Sequence, residues 1–138
     1  MDSREKLFRV IQERQLVSYS NNTRWDQFLN VALKLPLRFR MKWVFDAEPA
    51  SWGLLIIPTQ GYVEGGTLGP ITYREIEWLE IDSVERRCRG TLVSDLEIDH
   101  SEKVESVLTA HRMTFSVESK VYRVFGYKEA ISVVCKQT

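Results

Sequence analysis

The sequence predicts an α+β domain, a mainly antiparallel sheet packed by about three helices, and three observations predict it. Apolar residues recur at helical spacing in three stretches, they alternate with polar residues in others, and turn-forming residues separate the two kinds. The resulting order is roughly α-α-β-β-β-α-β-β. With 43% apolar and 28% charged residues, the composition is that of an ordinary globular chain, and residues 1–138 are read as one domain. A chain of this length buries enough surface to fold without a metal or a crosslink.

The elements follow in order. Asp2 and Glu5 have capping-box spacing, and Leu7, Phe8 and Ile11 then make an apolar stripe, so a first helix is expected to about Gln15. The polar run at residues 18–22 breaks it. Thr23 and Asp26 offer a second cap, after which Trp25, Phe28, Leu29, Ala32 and Leu33 line one helical face. Pro36 stops this helix and the period changes to two: Leu37, Phe39, Met41 and Trp43 alternate with Arg38, Arg40 and Lys42. A strand with one apolar and one basic face is the reading. Residues 52–57 are apolar on both faces, as a covered central strand would be, and Pro58 is expected to end them. Glycines at 61, 65, 66 and 69 mark a loop or loose hairpin connection over residues 60–70.

In residues 71–82, Ile76 and Trp78 share one face and Glu75 and Glu77 the other, but Leu79 and Ile81 then fall on the glutamate face. That inversion predicts a bulge or an edge. A polar stretch with Arg86, Arg87 and Arg89 leads to a short strand at residues 91–93. Asp99 and Glu102 again have capping-box spacing, and Val104, Val107, Leu108 and His111 line a third helix. Residues 114–117 and 121–127 read as two strands of a hairpin around Glu118, Ser119 and Lys120.

Nineteen basic and nineteen acidic side chains cancel, so no global field draws the chain to nucleic acid or anionic lipid. Residues 1–10 are charged and periodic rather than a signal core, and the longest apolar runs are of strand length. A cytoplasmic protein without a membrane span is expected. Cys88 and Cys135 form no CxxC pair and read as buried or idle thiols in a reducing compartment.

Catalytic chemistry finds little support. His100 and His111 stand about three turns apart on one predicted helix, ~16 Å of rise, too far to share an ion. The segment with glycines 61–69 lacks a GK[ST] ending, and no serine sits in a GxSxG turn. No enzyme activity, cofactor or metal is therefore expected. Glu75, Glu77, Glu80 and Asp82 form the densest acidic group, and paired carboxylates can bind a divalent ion or share a proton. Cross-strand ion pairs with Arg38, Arg40 and Lys42 are the preferred explanation of both rows. The same cations, with Arg86, Arg87 and Arg89, could meet phosphates, and Trp43 or Phe39 could stack on bases. On that strand, however, the aromatics point away from the basic side chains, so nucleic acid is disfavoured.

Two stretches carry a resemblance. Asn21, Asn22, Thr23, Arg24 and Trp25 before the second helix, and Ile76, Glu77, Trp78, Leu79, Glu80 and Ile81, resemble a small bacterial family of unknown function with N-N-T-K/R-W and I-E-W-L-E-I motifs. Asp99 with His100, residues 115–118 and residues 121–127 are similar to its D-H helix, P-F-S-x-E hairpin and I-R-I-W-G-Y ending. Thr114 replaces a frequent proline, and Phe125 replaces tryptophan or tyrosine. The resemblance spans residues 21–127. It implies an immunity protein of a contact-dependent or polymorphic toxin system, whose partner is a cognate toxin domain, with a nuclease effector domain as the expected kind. The acidic set Glu64, Glu75, Glu77, Glu80 and Asp82 is the expected partner-binding surface, since it suits a basic nuclease. A nucleic-acid or small-ligand binding domain using the Arg and Lys patches is the alternative.

Overall fold

The computed structural model describes residues 3–53, 57–59, 62–64, 70–90 and 92–129. Three helices and an antiparallel set of strands make the fold α+β. In chain order these are α1 (Ser3–Arg14), β1 (Leu16–Ser18), α2 (Asn22–Ala32), β2 (Arg38–Trp43), β3 (Ile57–Thr59), β4 (Tyr62–Glu64) and β5 (Pro70–Thr72). A 3-10 turn (Tyr73–Glu75) leads into β6 (Ile76–Asp82), followed by β7 (Val84–Arg87), β8 (Leu96–Asp99), α3 (Ser101–Ala110), β9 (Phe115–Glu118), β10 (Val121–Phe125) and β11 (Tyr127–Glu129). The expected helix and strand order holds, with short extra strands at β1, β4, β5, β7, β8 and β11.

The central sheet has the order β2-β6-β10-β9. Its inner face is dry. Trp25, Phe28, Leu29 and Ala32 of α2 and Val104 and Leu108 of α3 pack there against Phe39, Met41, Leu79, Ile81, Tyr122 and Val124, all buried. The helical spacing of these side chains is what brings both helices onto one face. A second cluster joins Leu7, Leu16, Val44 and Tyr127, and it holds α1 and the β1–β11 pair beside the sheet.

The predicted inversion in β6 is a bulge, and it falls at Glu77. Lys42 pairs with Trp78 and Trp43 with Ile76, so one β6 residue is extra. Ile76 therefore joins Leu79 and Ile81 in the core. Trp78 turns to the opposite face with Glu80, not to the side of Ile76 as simple alternation suggests. All seven residues of β6 are buried, which makes it the central strand of the molecule.

Several expected boundaries move. Asp2 lies outside the described residues. Asn21, not Thr23, caps α2: its Oδ1 accepts from the Arg24 backbone N–H at 2.8 Å. Asp99 accepts from the Ser101 backbone N–H instead of closing a capping box with Glu102. Phe8, expected in the first stripe, is 61% exposed, because Leu7 with Val10 and Ile11 makes the packed side of α1. Of the expected strand at 52–57, Trp52 and Gly53 are in a turn, residues 54–56 lie outside the described residues and Ile57 begins β3. Pro58 falls within β3, at the edge of the β3-β4-β5 sheet where a missing N–H is tolerated. At 91–93 there is no strand: Leu92 is in a turn, Val93 in a bend, and Thr91 lies outside the described residues. The arginine stretch before them is β7, paired with β8.

The last hairpin closes as predicted, through a two-residue turn. Ser119 and Lys120 both have positive φ, 50° and 68°, the backbone that matches the twist of the flanking strands. The edges of the central sheet differ. Beyond β2, residues 46–53 fold back so that Ala50 N–H donates to the Met41 carbonyl at 2.9 Å and Gly53 N–H to that of Phe39 at 3.1 Å. Among the described residues, nothing of this kind reaches β9 from its far side.

Candidate functional site

The outer face of the central sheet gathers most of the residues singled out from the sequence. Alternation sends Arg38, Arg40 and Lys42 of β2 to this face while Phe39 and Met41 enter the core. The neighbouring β6 presents Glu77, Glu80 and Asp82. Arg38 donates to Asp82 at 2.6 Å, Arg40 donates to Glu80, and Lys42 donates to Glu77 at 2.8 Å. From β10, Arg123 donates to the second oxygen of Glu80 at 3.0 Å. Arg14 of α1 reaches Glu77 at 2.6 Å and Glu129 at 2.8 Å, and Arg86 reaches Asp82 at 3.1 Å.

Burial explains why the pairing is complete. Glu77, Glu80 and Asp82 are 9%, 5% and 6% exposed, and an ionised carboxylate removed from water must be compensated. Burial alone pushes the Glu77 carboxyl up, but hydrogen bonds from Arg14 and Lys42 outweigh it and hold the group below the ordinary carboxylate range. Asp82 behaves in the same way: burial opposes the shift, and Arg38, the Val84 backbone N–H and Arg86 overcome it.

Tryptophans are interleaved with these cations. The Arg123 guanidinium lies 4.2 Å from the Trp78 ring centre, and Arg40 lies between Trp78 at 5.8 Å and Trp52 at 4.9 Å. Arg38 is 5.4 Å from Trp52. The expectation for β2 holds, since Phe39 enters the core away from Arg38, Arg40 and Lys42. From the neighbouring strand the bulge at Glu77 turns Trp78 to the basic side. A cleft of about 470 Å³ opens over this region, with Glu80 at its floor and Arg40, Arg123, Trp52 and Ser116 in its walls.

The acidic set does not form one exposed surface. Glu77, Glu80 and Asp82 are enclosed by cations, as the cross-strand explanation requires. Glu75 sits in the 3-10 turn and accepts from the Trp43 indole N–H at 2.9 Å. Glu64 belongs to β4, in the β3-β4-β5 sheet, and its side chain lies outside the described residues. The guanidiniums of Arg38, Arg86 and Arg123 keep part of their surface in solvent while the β6 carboxylates lie beneath them. Six cations, Arg14, Arg38, Arg40, Lys42, Arg86 and Arg123, share five carboxylates, Glu77, Glu80, Asp82, Glu97 and Glu129. Arg14, Trp52, Trp78 and Arg123 are not among the site residues the sequence singles out. For Arg123 the signal was present, since it alternates with the buried Tyr122 and Val124.

The histidines stand apart from this face. His100 Nε2 is 2.9 Å from Glu85 Oε1, and His111 Nδ1 is 3.3 Å from the Val107 carbonyl. Arg87 also donates to Glu85, at 2.6 Å, and with His100 it keeps that carboxyl below its ordinary range. Among the described residues, no group of three or more His, Cys, Asp or Glu side chains gathers to hold a metal ion. Nor is any helix there long and apolar enough to cross a membrane. Cys88 is exposed and free, and Cys135 lies outside the described residues.

A second cleft, of about 370 Å³, brings together Asn21, Asn22 and Trp25 with Arg74, Gly126 and Tyr127. Much of this motif chemistry is structural. Asn21 caps α2, Trp25 is core, and the Tyr127 hydroxyl donates to the Arg74 carbonyl at 2.8 Å. At Gly126 any Cβ would overlap the Ile76 carbonyl oxygen, so the backbone approach there requires glycine.

The model of DUF6678, a family of unknown function, matches residues 7–130. The chain belongs to that family. The DUF6678 match includes the 21–127 stretch of the sequence resemblance and extends into α1, which the resemblance left out. No curated protein and no solved structure matches the chain.

Proposed function

We propose that this DUF6678 member is a cytoplasmic binding module, without catalysis of its own, that neutralises a partner protein as an immunity protein does a toxin domain. The toxin-neutralising role comes from the sequence resemblance. The contact surface is argued from the outer sheet face, where Arg38, Arg40 and Arg123 lie against Trp52 and Trp78. Arginine and tryptophan are the residue types that dominate protein–protein hot spots, and here packing and ion pairs hold them in place before any partner arrives. Because the β6 carboxylates are buried while Arg38, Arg40 and Arg123 keep part of their guanidiniums in solvent, the complementary partner surface is acidic. This replaces the acidic patch as the contact surface, since Glu75, Glu77, Glu80 and Asp82 are engaged inside the protein.

Growth protection tests the reading. A toxin domain found encoded beside this gene is to be expressed with wild-type protein or with an Arg38→Ala/Trp52→Ala variant, and absence of such a neighbour counts against the reading. Both positions lie at the periphery of the ion-pair lattice, and circular dichroism confirms the fold. Protection by the wild type and at least tenfold weaker binding by the variant are expected. Equal protection by both discards this face.

Nucleic acid is the second reading, favoured by the tryptophans among the cations. Binding to single-stranded RNA that weakens steeply with salt would establish it. Each guanidinium of the face already serves a carboxylate, which reduces what is left for phosphate, and no RNA binding at low salt removes this reading.

A further inference from the structure

The side chains of the outer face run in rows across the strands, and in one row the charges alternate. In one row Arg40 is opposite Glu80, Glu80 opposite Arg123, and Arg123 opposite Ser116 at the β9 edge. In the next, Arg38 is opposite Asp82, Asp82 opposite Val121, and Val121 opposite Glu118. The first row stops after a cation, with only the short Ser116 beyond it. The second stops at Glu118, which makes no ion pair among the described residues.

Among the described residues, β9 is also the edge of the central sheet left open. Residues 46–53 seal β2, whereas among the described residues the backbone of β9 bonds only to β10. On the inner side of β9, Val117 is 52% exposed beyond the reach of the core, while Phe115 packs against it. An exposed edge with an apolar side chain is a template for a further strand.

We infer that the β9 edge takes an extended segment of the partner protein, added antiparallel, with a basic residue opposite Glu118 and an acidic residue two positions later opposite Ser116. The acidic side chain continues the row of Arg40, Glu80 and Arg123. Arg123 has N–H groups left over after Glu80, and Ser116 is too short to keep a carboxylate from them. The residue between them lies on the inner side, opposite Val117, and is apolar. Cross-strand opposite charges favour this register, and the swapped pattern places like charges together. The inference rests on the reading of the chain as a protein-binding module and specifies how the partner is held.

Two blocked hexapeptides test it, one with the sequence Thr-Lys-Val-Glu-Val-Thr and one with the Lys and Glu exchanged. Each is titrated into the full-length, nitrogen-15-labelled protein, and backbone amide shifts are followed by NMR. The first peptide should move the amides of Phe115–Glu118 saturably, and the exchanged peptide should bind at least tenfold more weakly. Equal binding of both, shifts confined elsewhere or no binding of either overturns the inference. So does concentration-dependent self-association that protects β9 without peptide, which assigns the edge to a second copy. The growth-protection variant reads Arg38 and Trp52 rather than β9. Intact protection dependence with no peptide binding therefore rejects the edge and leaves the module reading standing.

Discussion

The two faces of the central sheet are built from the same strands and held by opposite means. Leu79 and Glu80 are neighbours in β6, 1% and 5% exposed, yet one is surrounded by hydrocarbon and the other by two guanidiniums. Burial of a leucine gains its transfer free energy with no further condition. Burial of a glutamate costs free energy until every partner is in place. The inner face therefore tolerates loss of one contact better in form than in magnitude, whereas the outer face is held by mutual dependence.

Leu79→Ala should give the largest effect, a loss of about 3 kcal/mol in urea unfolding from lost transfer and the cavity left behind. That loss should be the same at low and high salt. Glu80→Gln should cost about 2 kcal/mol, less than a fully buried pair because Arg40 and Arg123 retain solvent contact. This loss should shrink as salt is added, since screening reaches partly exposed guanidiniums. If both variants respond alike to salt, the contrast between the faces is wrong.

Acid sharpens the comparison. Glu77 and Asp82 titrate below their ordinary range in the folded protein. Their contribution is present above the unfolded value of about 4 and is lost as pH falls through the lower folded values. Wild-type stability should drop as pH is taken from about 5 to about 3, and a Glu77→Gln/Asp82→Asn variant should start lower and vary less over that range. A variant with the wild-type slope would assign the acid sensitivity elsewhere. The smallest effect belongs to the turn that joins the faces at the β9 edge. Ser119→Asn should stabilise by about 0.5 kcal/mol, because asparagine tolerates left-handed backbone better than serine.

The inner face was legible in the sequence because packing leaves periodicity behind. The α2 positions Trp25, Phe28, Leu29 and Ala32 and the alternation around Phe39 and Met41 each named a buried side. The β9–β10 hairpin was equally clear from the polar residues between two alternating runs. The β7–β8 pair was missed because Arg86, Arg87, Leu96 and Glu97 are all exposed, so no face is dry and no alternation appears. The ion pairing of β2 with β6 could be anticipated from two charge rows of opposite sign. Trp78 could not be placed among the arginines, since that depends on which residue of β6 is extra. Trp52 comes from a turn whose path is set by backbone bonds to β2, which side-chain patterns do not encode.

The hydrogen bonds from Ala50 and Gly53 also limit how copies of this protein can stack. A sheet that is closed on one side has only one place for main-chain pairing, and two molecules that meet there use up each other's free rim. Growth through the central sheet, as the described residues leave it, terminates at a pair. A filament needs a donor and an acceptor side on every unit, so a variant that loosens residues 46–53 should be the first to form fibres.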